Sequence, residues 1–124
     1  MANTSQFVQS LFNDREVIIE QNNYISNVVD LQNSTIIGLV FPQELEGNKN
    51  KFNGNRICFY VSSDKQDFHQ LRDTENNLIV LNCLNNVCYS LNRYDLAAWN
   101  YIKIQSDTAQ TNDITITLQT RAGS

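Results

Sequence analysis

Few residues in this chain have the chemistry for catalysis. There is one histidine, His69, and three cysteines, Cys58, Cys83 and Cys88. Nucleophilic catalysis needs a thiol or hydroxyl within reach of a base. Cys58 or Ser62 with His69 is the one pairing that can be drawn, and no local motif supports it. A zinc site needs several imidazoles, or cysteines at metal-ligand spacing, and neither occurs. Asp64, Asp67, Asp73 and Glu75 are acidic, but Asp64-Lys65-Gln66-Asp67 lacks the alternating oxygen ligands and the glycine of a calcium loop. An Asp-rich turn is the reading those residues support. The four glycines form no phosphate-cradling cluster. Only paired carboxylates for glycoside hydrolysis, whose members can be distant in sequence, stay open. The expectation is a protein that is not an enzyme and takes no metal or cofactor. That leaves binding. Trp99 and Tyr101 could stack on a sugar or insert into a partner. Trp99, at the start of a strand, is expected to close the core instead.

The elements that would position these residues are strands. Tyr101, Lys103 and Gln105 alternate with Ile102 and Ile104, and Ile114, Ile116 and Leu118 alternate with Thr115 and Thr117. Period-2 alternation is how half-buried antiparallel strands are written. Glu16–Glu20, Ile25–Leu31, Thr35–Phe41, Arg56–Ser62, Phe68–Leu71, Leu78–Leu81 and Val87–Leu91 read as further strands. In the second, Ile25, Val29 and Leu31 point inward. The third is nearly all apolar and therefore central, and Pro42 ends it. Leu78–Leu81 and Val87–Leu91 read as a hairpin, with Cys83 and Cys88 near its turn. Asn92–Trp99 reads as one helical turn. Glu44–Asn55 reads as a long polar loop. Eight or nine short strands with frequent turns predict an all-β chain: a single antiparallel β-sandwich, jelly-roll-like. The expected core is Val17, Ile37, Leu39, Phe59, Val61, Leu81, Leu91, Trp99, Ile102, Ile104, Ile116 and Leu118.

At 124 residues the chain suits one domain. Residues 15–124 form the expected sandwich and residues 1–14 a short N-terminal arm. Phe7, Val8, Leu11 and Phe12 would give a short helix in the arm one apolar face for a partner; a loosely packed lead-in is the alternative. The three cysteines are an odd number without ligand spacing, which predicts reduced, structural thiols made in a cytoplasm.

The net charge of −4 and the pI near 4.7 exclude the basic footprint of sequence-independent nucleic-acid binding. Lys49, Lys51 and Arg56 form a small basic cluster that reads as a solvated loop. No apolar run of about 18 residues is present to span a bilayer, and the first residues lack a secretory pattern. A soluble protein is the expectation. Asn and Gln make up 28 of the 124 residues, which gives a polar, weakly charged surface suited to hydrogen bonding. Biased codon usage explains that excess equally well.

Four segments resemble a family of small phage virion proteins encoded beside capsid genes. They are Val29-Asp30-Leu31 with Ile36–Pro42; Phe59–Asp64 with Phe68 and Leu71-Arg72-Asp73; Tyr89-Ser90-Leu91 with Ala98–Ile104; and Ser106–Gln110 with Ile114–Leu118. Lys65 and Asp107 stand where that family has glycine, and Asp113 near its usual arginine. The resemblance implies a non-enzymatic capsid decoration or cement protein on the outside of a phage head. It further implies a virion location after synthesis in the host cytoplasm, with the major capsid protein or another virion protein as partner, and a homo-oligomer, trimer or dimer. The run Trp99–Ile104 also resembles strands of sugar-binding jelly rolls. That keeps open a virion-attached, lectin-like module reading host polysaccharide, or a tail or fibre component. Such a module predicts a concave face with two or more exposed aromatics.

Overall fold

The computed structural model describes residues 12–43, 51–85, 87–91 and 96–122. Nine strands are present among them: β1 (Phe12–Ile19), β2 (Val29–Asp30), β3 (Ser34–Val40), β4 (Arg56–Ser62), β5 (His69–Gln70), β6 (Val80–Asn82), β7 (Cys88–Ser90), β8 (Tyr101–Ser106) and β9 (Ile114–Ala122). They form a four-stranded sheet, β1-β9-β3-β7, and a five-stranded one, β2-β8-β4-β5, with β6 also on β4. Every pairing is antiparallel.

The pairings are nested. β1 pairs with β9, β2 with β8, β3 with β7 and β4 with β5. A chain folded back on itself in this way and then wrapped into two sheets is a jelly roll. The expected class is therefore the observed one: an antiparallel β-sandwich of jelly-roll type.

Alternation along the strands supplies the core. Val17 and Ile19 of β1, Ile114, Ile116 and Leu118 of β9, Ile57, Phe59 and Val61 of β4, and Ile102 and Ile104 of β8 are buried. Each such side chain removed from water contributes about 1.5–3 kcal/mol. Phe41 meets Phe52 and Tyr89 edge-to-face, with ring centroids 5.2 and 5.6 Å apart. Phe52 is a correction to the polar-loop reading of Glu44–Asn55: it is buried and plugs the sandwich. Its main chain is clasped by Asn85, whose Oδ1 accepts the Phe52 N–H at 2.7 Å and whose Nδ2 donates to the Phe52 carbonyl at 3.0 Å.

Four further expectations are corrected. First, Leu78–Leu81 and Val87–Leu91 do not form a hairpin. β6 pairs with β4 in one sheet and β7 with β3 in the other, so this turn crosses the sandwich. Apolar pattern alone cannot distinguish a turn within a sheet from one between sheets.

Second, Ile37 is half-buried and Ile36 takes its inward place. Ile36 opposes Thr120 while Gly38 opposes Gln119, so Ile37 is the extra residue of a bulge. The bulge lets Ile36 and Leu39, three apart, share one face. Gly38 fits there because a Cβ would approach the Tyr89 carbonyl oxygen to 3.1 Å.

Third, Ile25 is 40% exposed, whereas Val29 and Leu31 are buried. Ile25 bridges to Gln105, which faces outward. The inward place goes to Ser26, whose N–H donates to the Ile104 carbonyl and whose Oγ accepts the Ile104 N–H, both at 2.8 Å.

Fourth, Leu81, Leu91 and Trp99 are only partly buried, packed against the core rather than within it. Strand β1 also starts earlier than the sandwich boundary at residue 15. Phe12, Asn13 and Asp14 pair with Arg121, Thr120 and Gln119, since ladder pairing does not require apolar side chains. Of the helical turn expected over Asn92–Trp99, residues 92–95 lie outside the described ones; Trp99 N–H closes onto the Leu96 carbonyl at 3.2 Å.

Candidate functional site

The asparagine-rich turns at one end of the sandwich converge on Gln110. Its side chain is buried, and Nε2 donates to the Asn53 carbonyl at 2.8 Å, the Thr108 carbonyl at 3.1 Å and Ser106 Oγ at 3.1 Å. Its Oε1 accepts the Asn53 N–H at 2.8 Å. The main chain of Gln110 continues the tie: its carbonyl accepts the Asn22 N–H at 2.8 Å and its N–H donates to the Asn23 carbonyl at 3.0 Å. Asn53 Oδ1 adds bonds from the Thr111 N–H and hydroxyl. Gln110 thus joins three segments, the Asn53 loop and its own turn through the side-chain amide and the Asn22-Asn23 turn through its main chain, and the buried polar atoms of the amide are satisfied, as burial demands.

Those three segments wall a groove of about 460 Å³. Tyr24 stands on one side, Arg56, Ile57 and Cys58 of β4 form the floor with Gln105 and Ser106 of β8, and Leu78, Val80 and Asp107 complete the rim. Tyr24 is 53% exposed, the one strongly exposed aromatic among the described residues. Its carbonyl accepts the Ser106 N–H at 2.8 Å, which seats its loop against β8. Asp107 Oδ1 accepts the Asn55 N–H at 3.0 Å and, at 3.4 Å, the Arg56 N–H. Gly54 makes that approach possible: its φ is +120°, and a Cβ would lie 2.3 Å from Asp107 Oδ1.

The thiol on the groove floor is not poised as a nucleophile. Burial raises the Cys58 pKa, against smaller opposing effects of a hydrogen bond from Gln70 and the Arg56 charge. Its Sγ lies 3.6 Å from Gln105 Oε1. Cys83 is pushed up to about 11 by burial and by the Asp107 carboxylate. Protonated thiols are weak nucleophiles. The three cysteines are free; Cys83 is buried, Cys58 half-buried and Cys88 exposed.

The structure does not assemble the pairing of Cys58 or Ser62 with His69. His69 is exposed on β5 opposite Val61. Ser62 Oγ donates to Asp64 Oδ1 at 2.8 Å and accepts the Asp64 and Lys65 N–H groups. Asp64 Oδ1 also accepts N–H groups of Gln66 and Asp67, and these bonds hold its carboxyl down to about 2. Asp73 likewise caps its own turn through Glu75 and Asn77. Among the described residues no three His, Cys, Asp or Glu side chains group as a metal site.

Of the arm residues, Phe7, Val8 and Leu11 lie outside the described residues, and Phe12 contributes its backbone to β1. Trp99 packs on the core, and Tyr101 lies half-exposed on β8. The concavity therefore holds one strongly exposed aromatic, Tyr24, which the sequence reading passed over, and not the two or more expected of a sugar-reading face. The signal was available: Tyr24 follows the polar turn Gln21-Asn22-Asn23, where a ring has no core to enter. Gln110 carried no local signal.

No family model matches the chain, and no curated protein matches it. Among solved structures, similarity is found to CBM32-1 from a family 31 glycoside hydrolase of Clostridium perfringens, at 13% identity and a TM-score of 0.43, covering 84% of this chain and 75% of that one. It is also found to CpGH89CBM32-5 of Clostridium perfringens in complex with GalNAc-β-1,3-galactose, at 12% identity and a TM-score of 0.40, covering 86% of this chain and 94% of that one.

Proposed function

We propose that this chain is a non-catalytic carbohydrate-binding domain and that the Tyr24 groove is its site. One observation carries the reading: an exposed tyrosine lines an open groove together with Arg56, Gln105 and Asp107. A pyranose has an apolar C–H face and a rim of hydroxyls. The tyrosine ring suits the face. Arginine supplies donors, a carboxylate acceptors and glutamine both, so every hydroxyl can be met. Loops tied through Gln110 hold these groups in place before a ligand arrives, which lowers the ordering cost of binding.

A glycan array followed by titration of the retained sugars tests this. Tyr24→Ala should weaken binding at least about tenfold while changing stability by under about 0.5 kcal/mol, as expected of an exposed side chain. Unchanged binding by the variant would remove the groove from consideration.

The carrier in this proposal is a phage particle, with the domain attached to the head or a fibre. The four-segment resemblance supports that assignment. A copy-number inventory of purified particles tests it, and absence of the chain would end it. Attachment is assigned to the arm, so a chain lacking residues 1–11 should fold and bind sugar while failing to load onto particles or to oligomerise.

A further inference from the structure

The outer face of the five-stranded sheet continues the groove. Strands β4 and β8 send Ile57, Phe59, Val61, Ile102 and Ile104 inward, so Cys58, Tyr60, Tyr101, Lys103 and Gln105 face out, all half-exposed. Register sets Cys58 beside Gln105 and Val80, and Tyr60 beside Lys103 and Gln70. Cys58, Gln105 and Val80 are themselves groove residues, so groove wall and sheet face are one surface. From Gln105 to Tyr101 that surface runs about 13 Å along the strand, longer than one sugar ring. Lys103 Nζ sits 4.3 Å from the centroid of the Phe68 ring, which holds a donor in place over the face.

Resting on the glycan reading above, we infer that the ligand is an internal stretch of a linear, uncharged polysaccharide, lying from the Tyr24 groove across β8 and β4. Arg56 and Lys103 lie along this track with Asp107 and Asp30, and Arg72 bonds Gln70 at its edge, so the charges are of mixed sign and form no cationic stripe to select a polyanion. A protein partner would want an apolar centre depleted in lysine. Here the centre is Lys103 and Tyr60 side by side, with Gln70 on the far side of Tyr60 and Gln105 further along β8. Hydroxyls spaced along a sugar chain fit that sequence of amide, ammonium and phenol groups.

The test titrates the chain with β-1,4-linked glucose, N-acetylglucosamine and galactose oligomers from one to five units. Affinity in at least one series should climb roughly tenfold or more between the monosaccharide and the tetrasaccharide. Lys103→Ala and Gln70→Ala, both checked for unchanged melting, should lose that climb and leave monosaccharide binding as it was. Tyr24→Ala should weaken every length. Equal affinity for monosaccharide and pentasaccharide, neutral behaviour of Lys103→Ala at all lengths, or binding on the array to charged glycans alone overturns the extended site and leaves the groove standing. Retention of no glycan on the array overturns the groove reading, and this one with it.

Discussion

In the four-stranded sheet β1 runs beside β9 from Phe12↔Arg121 to Ile19↔Ile114 without a break, and the shared inner face is Val17, Ile19, Ile114, Ile116 and Leu118. At the groove end of the five-stranded sheet the strands are short, and the loops are held by amide side chains bonded to backbone: Gln110 to Asn53 and Thr108, Asn85 to Phe52, Asn53 to Thr111. The first region is held by area and dispersion, which are non-directional and spread over many atoms. The second is held by a few directional bonds between buried polar groups, each costly if left unmade. Stability is therefore concentrated in one region and the shape of the site in the other. The asparagine and glutamine content, which in composition reads as surface or as codon bias, is in part the material of the second region.

Substitutions in the two regions should separate these roles. Ile116→Ala in the wholly buried centre of β9 should cost about 4 kcal/mol of stability, read by urea denaturation, and leave glycan affinity per folded molecule unchanged. Gln110→Ala should cost less, about 2 kcal/mol, by leaving the Asn53 groups and the Thr108 carbonyl unpaired. It should nevertheless weaken glycan binding, because the Asn53 loop beside Arg56 and the Ser106–Thr108 turn that carries Asp107 lose their side-chain tie, while the main chain of Gln110 still holds Asn22 and Asn23. If Gln110→Ala binds as the parent does, the contrast between the two regions fails.

The turn between β4 and β5 gives smaller effects. Lys65 has a φ of +68°, a left-handed conformation that side chains resist. Lys65→Gly should raise stability by about 0.5 kcal/mol, the relief of strain being partly offset by the freedom glycine gains when unfolded; a lowered melting temperature would contradict this. Asp64 in the same turn gives the smallest effect. Its folded carboxyl titrates near 2, below its ordinary 3.8. The stabilisation it adds is complete above about pH 4 and is lost as pH falls toward 2. Asp64→Ala should flatten that part of the stability–pH curve; an unaltered slope would show that the turn is indifferent to the charge.

Local pattern decided the class. Alternation at Tyr101–Gln105 and Ile114–Leu118 marks strands by itself, since a strand's two faces are set by a two-residue period and need no knowledge of the partner. It also found eight of the buried residues expected in the core, among them Val17, Phe59, Ile104 and Leu118. Tertiary structure alone decided which strands share a sheet, that the β6–β7 turn crosses the sandwich, and that a bulge at Ile37 turns Ile36 inward. Those depend on hydrogen bonds to residues far along the chain, such as Ile36 to the Thr120 region and Gln110 to Asn53, and no local period records them. The groove belongs to this second kind. In sequence Tyr24 carries no mark, Arg56 reads as part of a solvated basic loop and Asp107 as a turn residue; they line one groove only when nested pairing brings three turns to one end and Gln110 joins them through its side chain and main chain.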